Sequence, residues 1–482
     1  MKKNPMKLSR RDMLRYAGAA GLSAASTSGF VGALSSFQQA SAAETDGYKA
    51  LVCIFLFGGM DCNDTVLPYD QTSYDRYAEI RGSLLNQYEF MAGGSTRSRD
   101  RLLALNPLNG ADFGTRQFAL PEELSGIHGL FEQGRASIVG NVGPLIAPLT
   151  KDEYYAGSAL RPKRLFSHND QQSTWMANRP EGAQFGWGGR FADAAQAALA
   201  NSNEEFTAIS TNGNSVFLTG SDVQPYQLGT DGAAEFDILN QLAYLRNSQE
   251  GEAAYQRLRT FLEAGDYRDS HLIGRDVANS MSNALHVNEA YNEATQNAAE
   301  LPVVFGSDRL GQQLAAVART IQSRDALGMR RQVFFVGMGG FDTHSGQAST
   351  LPVLHQRLDN GITSFMQAMD AFGLGDSVTL FTASDFGRTL AINGDGTDHG
   401  WGGHHFVVGD AVQGQTIFGD IPPYDFDLDA DVGSGRLIPS VSVSQFAEPL
   451  GRWFGLSDAE LAVALPDLPN FNAQSKLNLL TL

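Results

Sequence analysis

The chain reads as an α/β protein, with a largely parallel central sheet covered by helices on both sides. Three observations predict this. Its strand candidates are nearly continuous apolar runs, the pattern of strands buried on both faces. Between them lie segments with apolar residues at spacings of three and four, as crossover helices require. Three of the runs also lead into loops carrying glycine and aspartate, which parallel strands would bring to one edge of the sheet.

Taken in chain order, the first run is residues 49–57, Lys-Ala-Leu-Val-Cys-Ile-Phe-Leu-Phe, stopped by Gly58-Gly59. Further strand candidates are 136–140, 206–210, 332–337, 377–382 and 405–409. The clearest helices are 309–329, with Leu310, Leu314, Val317, Ile321 and Leu327 near one face, and 351–372, with Leu354, Leu358, Ile362, Phe365 and Met369. Residues 240–300 are polar with helical spacing and read as a helical insertion. Residues 424–433 alternate acid and apolar residues. A calcium loop would need glycine and glutamate where Ala430 and Arg436 stand, so a solvated edge is predicted.

The first 42 residues read as an address to be kept apart from one large domain over 43–482. Arg10-Arg11 precedes a weakly apolar Ala/Gly-rich stretch, and Ala40-Ser41-Ala42 offers a small-x-small cleavage site. That order predicts twin-arginine export to the periplasm or the exterior, a route that carries folded proteins and often accompanies a cofactor or metal loaded beforehand. Six basic residues and one acid in this segment leave the remainder at −23, against −18 for the whole chain of 482 residues. Such a charge argues against nucleic-acid partners and anionic lipid surfaces. No long charge-free apolar stretch follows the leader, so no membrane span is expected in the mature chain. The two cysteines, Cys53 and Cys62, are expected either free or as one local bridge.

Three strand ends carry the candidate chemistry: Gly58-Gly59-Met60-Asp61, Gly339-Gly340-Phe341-Asp342-Thr343-His344, and Ala383-Ser384-Asp385-Phe386-Gly387-Arg388. Ligands in open α/β sheets bind outside the carboxyl ends of the strands. Asp61, Asp342 and Asp385 are therefore predicted to meet across a sequence span of more than three hundred residues. Gathered carboxylates repel one another unless a cation offsets them. A divalent metal would do so, with His344 and the loop histidines His399, His404 and His405 as nitrogen donors. Asp and Asn after a strand also cap helices, the plainer reading of any one motif.

These motifs, together with Thr397-Asp398-His399-Gly400-Trp401-Gly402-Gly403 and Gly435-Arg436-Leu437-Ile438-Pro439, resemble the bacterial domain-of-unknown-function family numbered 1501. The resemblance covers most of the mature chain and implies membership of the wider alkaline phosphatase and sulfatase superfamily. It implies a three-layer αβα sandwich with one or two metal ions at its carboxyl edge. Asp61, Asp342, His344, Asp385 and either His399 or His404 would then be ligands for zinc, manganese or calcium. Where the superfamily has the histidine of Asp-His-Gly, this chain has Phe386, which cannot ligate. One ion or none is accordingly expected, with Arg388 supplying positive charge to an anion or pairing with Asp385. Ser167, before a predicted helix, stands as candidate nucleophile or as that helix's N-cap, with His168 a site residue or a local turn partner and Thr65 a weaker nucleophile. Trp187 and Trp401 are expected to be buried packing. The functional expectation is an exported metal-dependent hydrolase of phosphate or sulfate esters acting on a small anionic ester or glycan. Its rival is a non-catalytic relative binding an anion, glycan or protein through the same cleft.

Overall fold

The apolar runs form strands because each carries side chains that must leave water on both faces. In β1 (Lys49–Leu56), every residue after Lys49 is buried. The computed structural model describes residues 46–91, 96–233, 244–264, 272–472 and 476–481, so the leader reading falls outside the described residues. The other strands of the main sheet are β2 (Ala136–Gly143), β3 (Ala208–Ser210), β4 (Tyr226–Gly229), β5 (Gly232–Ala233), β6 (Arg331–Met338), β7 (Val378–Ser384), and three more near the C-terminus. Between β7 and these last three, β8 (Arg388–Ile392) and β9 (Thr397–His399) form a separate antiparallel hairpin. The last three are β10 (Gly403–Val408), β11 (Ile417–Gly419) and β12 (Val441–Ser442).

The ten-stranded sheet runs β11-β2-β10-β7-β1-β6-β3-β4-β5, with β12 beside β2. Strands β7, β1, β6, β3 and β4 are mutually parallel, and β10 enters antiparallel between β7 and β2. Register decides the site. Leu56 at the end of β1 lies opposite both Met338 of β6 and Ser384 of β7. The three predicted loops therefore leave the sheet at one level and one edge.

Alternate residues of β1 face opposite cores. Ala50, Val52, Ile54 and Leu56 pack with α2 (Ser125–Glu132), α7 (Arg309–Gln322) and α8 (Gln347–Ala371), and with Tyr77 of α1 (Gln71–Phe90). Leu51, Cys53 and Phe55 pack with α3 (His168–Ala177), α4 (Trp187–Ala197), α9 (Val443–Phe454) and α10 (Asp458–Ala464). The result is helix, sheet, helix, the three-layer arrangement expected. From residue 43 the chain forms one compact unit. Within 240–300, the described residues include α5 (Gln249–Ala264) and α6 (Leu272–Gln296). No helix among the described residues is long and apolar enough to cross a membrane.

Two boundaries moved. The helix expected over 309–329 stops at Gln322, because Ser323 leaves helical geometry and Gly328 turns left-handed, although Leu327 and Met329 remain buried. The helix expected from 351 begins at Gln347, just after a left-handed Gly346. Cys53 and Cys62 are both free and buried.

Candidate metal centre

Close approach of backbones builds the site. Gly58, with φ of +116°, lies so near the next loop that a Cβ there would sit 2.3 Å from the Asp342 amide nitrogen. Its N–H donates to Asp385 Oδ1 at 3.2 Å, and its carbonyl accepts from Arg388 Nη1 at 3.1 Å. The glycines after β1 thus let three loops share one small volume.

Asp342 is the centre of that volume. Its Oδ1 accepts from Arg388 Nη1 at 2.7 Å and lies 3.2 Å from His344 Nε2 and 3.3 Å from His399 Nε2. Its Oδ2 lies 3.5 Å from His168 Nε2. Burial pushes the Asp342 carboxyl up, but the hydrogen bond and charge of Arg388, with His344 and His168, hold it below its ordinary value.

Each imidazole that faces Asp342 is fixed from behind. His168 Nδ1 donates to Asp385 Oδ2 at 2.6 Å, His344 Nδ1 to Asp398 Oδ1 at 3.2 Å, and His399 Nδ1 to the Phe166 carbonyl at 2.8 Å. A carbonyl only accepts, and the hydrogen bonds from Asn393 and His344 hold Asp398 below its ordinary value, so Nδ1 carries the proton in each ring. In a neutral ring so held, Nε2 presents a lone pair toward Asp342. His344 Nε2 and His399 Nε2 stand 2.8 Å apart, a contact that requires a proton or a cation between them. Burial pulls His399 below its usual value and favours its neutral ring, whereas the hydrogen bond from His168 to Asp385 raises His168 against its burial. Ligand atoms of His168, Asp342 and His399 lie within 4.8 Å of one another, close enough for one ion to reach all three.

The loop before α3 is bent to make this arrangement. Arg164 and Phe166 both have positive φ, 49° and 70°, a conformation costly outside glycine. That bend aims the Phe166 carbonyl at His399 and starts α3 with His168. Phe386 takes no part as a ligand. Its ring lies 5.0 Å from that of His168 and 4.5 Å from that of His399, an apolar wall behind two imidazoles.

Several sequence expectations need correction. Asp61 belongs to a separate buried network: Arg81 grips it at 2.7 and 3.2 Å, and Gln347 Nε2 donates to it at 2.7 Å, so both its oxygens are taken up by protein donors. Asp385 is wholly buried and spends both oxygens on Gly58, His168 and Gln172, so it orients a donor rather than being one. His404 and His405 lie inside β10, since pairing begins at Gly403 opposite Val142. His404 Nδ1 accepts from the Asn141 amide, and burial lowers these rings to about 4 and about 3. Arg388 pairs with Asp342, not Asp385, and its other nitrogens donate to Thr397. It is a positioning residue, fully enclosed.

Ser167 is the residue before α3, but its hydroxyl donates to Asp170 Oδ2 at 3.0 Å. Thr65 is buried and bonded to the Asp61 carbonyl and His355 Nε2. Trp187 and Trp401 are buried, their indole N–H groups donating to the carbonyls of Trp175 and Pro144. Of the predicted ligands, Asp342, His344 and His399 come together, joined by His168. In the sequence His168 stood as a site residue or a local turn partner and not as a ligand, because the partner that gives it meaning, Asp385, is 217 positions away.

The family model for proteins of unknown function named DUF1501 matches residues 48–465, and the chain belongs to that family. No curated relative matches it. Among solved structures, one of Ps i-CgsB in complex with k-i-k-neocarrahexaose is similar at a TM-score of 0.34 with 8% identity, over 89% of this chain and 77% of that one. A mutant of the alkaline phosphatase PafA is similar at a TM-score of 0.24 with 9% identity, over 71% and 64%.

Proposed function

We propose that this member of the DUF1501 family is a metal-dependent hydrolase of phosphate or sulfate esters, working outside the cytoplasm after twin-arginine export. The observation that carries the reading is the set of inward-facing Nε2 atoms around Asp342, each ring held by an oxygen at its Nδ1. Such backing of a metal-ligating histidine is the usual way its tautomer is fixed and its basicity raised.

His168, Asp342 and His399 would hold a zinc, manganese or calcium ion. When bound, it would offset the negative charge of an ester oxyanion and make a nearby oxygen nucleophile stronger. The chain's own groups do the rest. The hydrogen bond and charge of Arg388 hold the Asp342 carboxyl below its ordinary value and fix its direction. Asp385 and the Phe166 carbonyl lock two rings, and Phe386 limits water behind them. His344 has a side chain 44% exposed and a proton-bearing Nδ1 on Asp398, so its Nε2 is the group placed to accept or return a proton at the open face. With the Ser167 hydroxyl committed to Asp170, solvent is the preferred attacking oxygen.

Metal analysis of the purified mature protein, paired with turnover of aryl phosphate and aryl sulfate esters, tests this. Bound metal and turnover, both lost in Asp342→Ala, are expected. Neither metal nor turnover after addition of Zn²⁺, Mn²⁺ or Ca²⁺ would sink the reading.

A further inference from the structure

Beside the metal centre lies a pocket of about 250 Å³ lined by Phe57, Asn169, Gln172, Asn212, Asn214 and Glu181, among others. One atom links its lining to the centre: Asp385 Oδ2 accepts both His168 Nδ1 and, at 2.9 Å, Gln172 Nε2. His168 and Gln172 are four residues apart on α3 and so share a face.

The pocket's polar groups are oriented by their protein partners. A guanidinium can only donate, so the bond from Arg309 at 3.1 Å fixes the Asn212 oxygen outward to that arginine and leaves its NH₂ for the pocket. The NH₂ lies directly over Gly337, where a Cβ would come within 2.2 Å of it. Gln172 gives its NH₂ to Asp385 and turns its carbonyl oxygen free. Phe57 supplies an apolar wall, and neither lysine nor arginine lines the space.

We infer that this pocket is a subsite for an uncharged, hydroxylated ring, so that the ester cleaved at the centre is carried on a sugar or a ring polyol. Hydroxyls donate and accept at once, which matches an amide donor and an amide acceptor in the lining of one pocket with an aromatic wall. An oxyanion there would face the Gln172 oxygen and the Glu181 carboxylate, with no lysine or arginine in the lining to offset it. The volume falls below the roughly 300–1,000 Å³ usual for drug-sized ligands and suits a single ring. The inference rests on the hydrolase reading only for what is cleaved; the pocket's preference stands on its own groups.

The test uses two readouts on the full mature protein. Binding of methyl glucoside, methyl galactoside and methyl mannoside is measured by calorimetry for wild type, Asn212→Asp and Asn214→Ala. Asn212→Asp keeps the acceptor that Arg309 needs and removes the donor; Asn214→Ala changes an exposed residue whose amide oxygen accepts from Gln227 at the surface. At least one glycoside should bind, and its Kd should rise about tenfold in Asn212→Asp, the worth of one hydrogen bond. In parallel, kcat/KM for the 6-phosphates and 6-sulfates of these sugars is divided by kcat/KM for the aryl esters. That ratio should fall about tenfold in Asn212→Asp and by a smaller factor in Asn214→Ala. Glycoside binding weakened by the variants without turnover of any ester would uphold the subsite and remove the hydrolase reading. Turnover of aryl esters with no glycoside bound, or with a ratio that neither variant changes, would overturn the subsite and leave the hydrolase reading intact.

Discussion

Arg388 shows how much at this centre depends on a residue that never meets a substrate. Its guanidinium is fully enclosed, with Nη1 on Asp342 and the Gly58 carbonyl and the other nitrogens on Thr397. A lysine would keep the charge and lose the fork. Arg388→Lys should therefore weaken zinc binding about 10- to 100-fold, the usual cost of removing a group that orients a ligand, as read by titration against a competing chelator. Asp385→Asn should lose a similar factor by freeing the His168 ring, although Asp385 never touches the ion. At this scale the sequence was half legible. Asp342, His344 and His399 announced themselves by glycine-rich spacing after strands. Asp61 had the same spacing and a different fate, because Arg81, twenty residues on in a helix, reaches back to claim it.

That arginine belongs to an argument about elements. Helix α1 is broken in the middle, where Arg81 takes φ −105° and ψ 16° instead of helical values. From the kink its side chain grips Asp61 and also donates to the carbonyls of Thr389 and Leu390 in β8. One residue thereby ties the loop after β1 to the hairpin that carries Arg388 and His399. The Asp61 and Arg81 side chains are both wholly inaccessible, so removing one charge strands the other. Arg81→Leu should lower unfolding free energy by about 3–5 kcal/mol in urea titrations, and a loss below about 1 kcal/mol would contradict this account. The kink had a trace in the sequence, since Gly82-Ser83 directly after Arg81 is a pair at which helices bend, but the grip on Asp61 that uses it did not. Strand and helix existence was legible, because burial on two faces writes itself as unbroken apolar runs. Helix ends were not, since apolar spacing continues past Gln322 to Leu327 in a turn that is buried without being helical.

For the whole molecule, pH and address make the sharpest predictions. His355, His404 and His405 are enclosed by packing and held neutral, with burial lowering them to about 4, about 4 and about 3. The unfolded chain would protonate each near 6.5, so below that pH it binds more protons than the folded state. Stability should thus be complete above about pH 6.5 and fall as pH drops toward 4, with each ring adding up to about 1.4 kcal/mol per pH unit to the slope. In His405→Phe, which keeps an aromatic ring against Trp175, that slope should shrink by about this amount in denaturation series between pH 6 and 4.5. The address is tested separately: Arg10→Lys with Arg11→Lys should hold the protein in the cytoplasm, as read by fractionation.

The centre's ligands arrive from the start of α3, the loop after β6 and the hairpin after β7, and their spacing is set by the level at which Leu56, Met338 and Ser384 lie side by side. Nothing in the extended chain holds His168, Asp342 and His399 together. On the proposed reading, an ion would therefore be captured only once the sheet has closed. The choice of metal would then be made by whatever ions surround the protein at the moment its fold completes, so the place of folding, as much as the ligand set, would decide which element is bound.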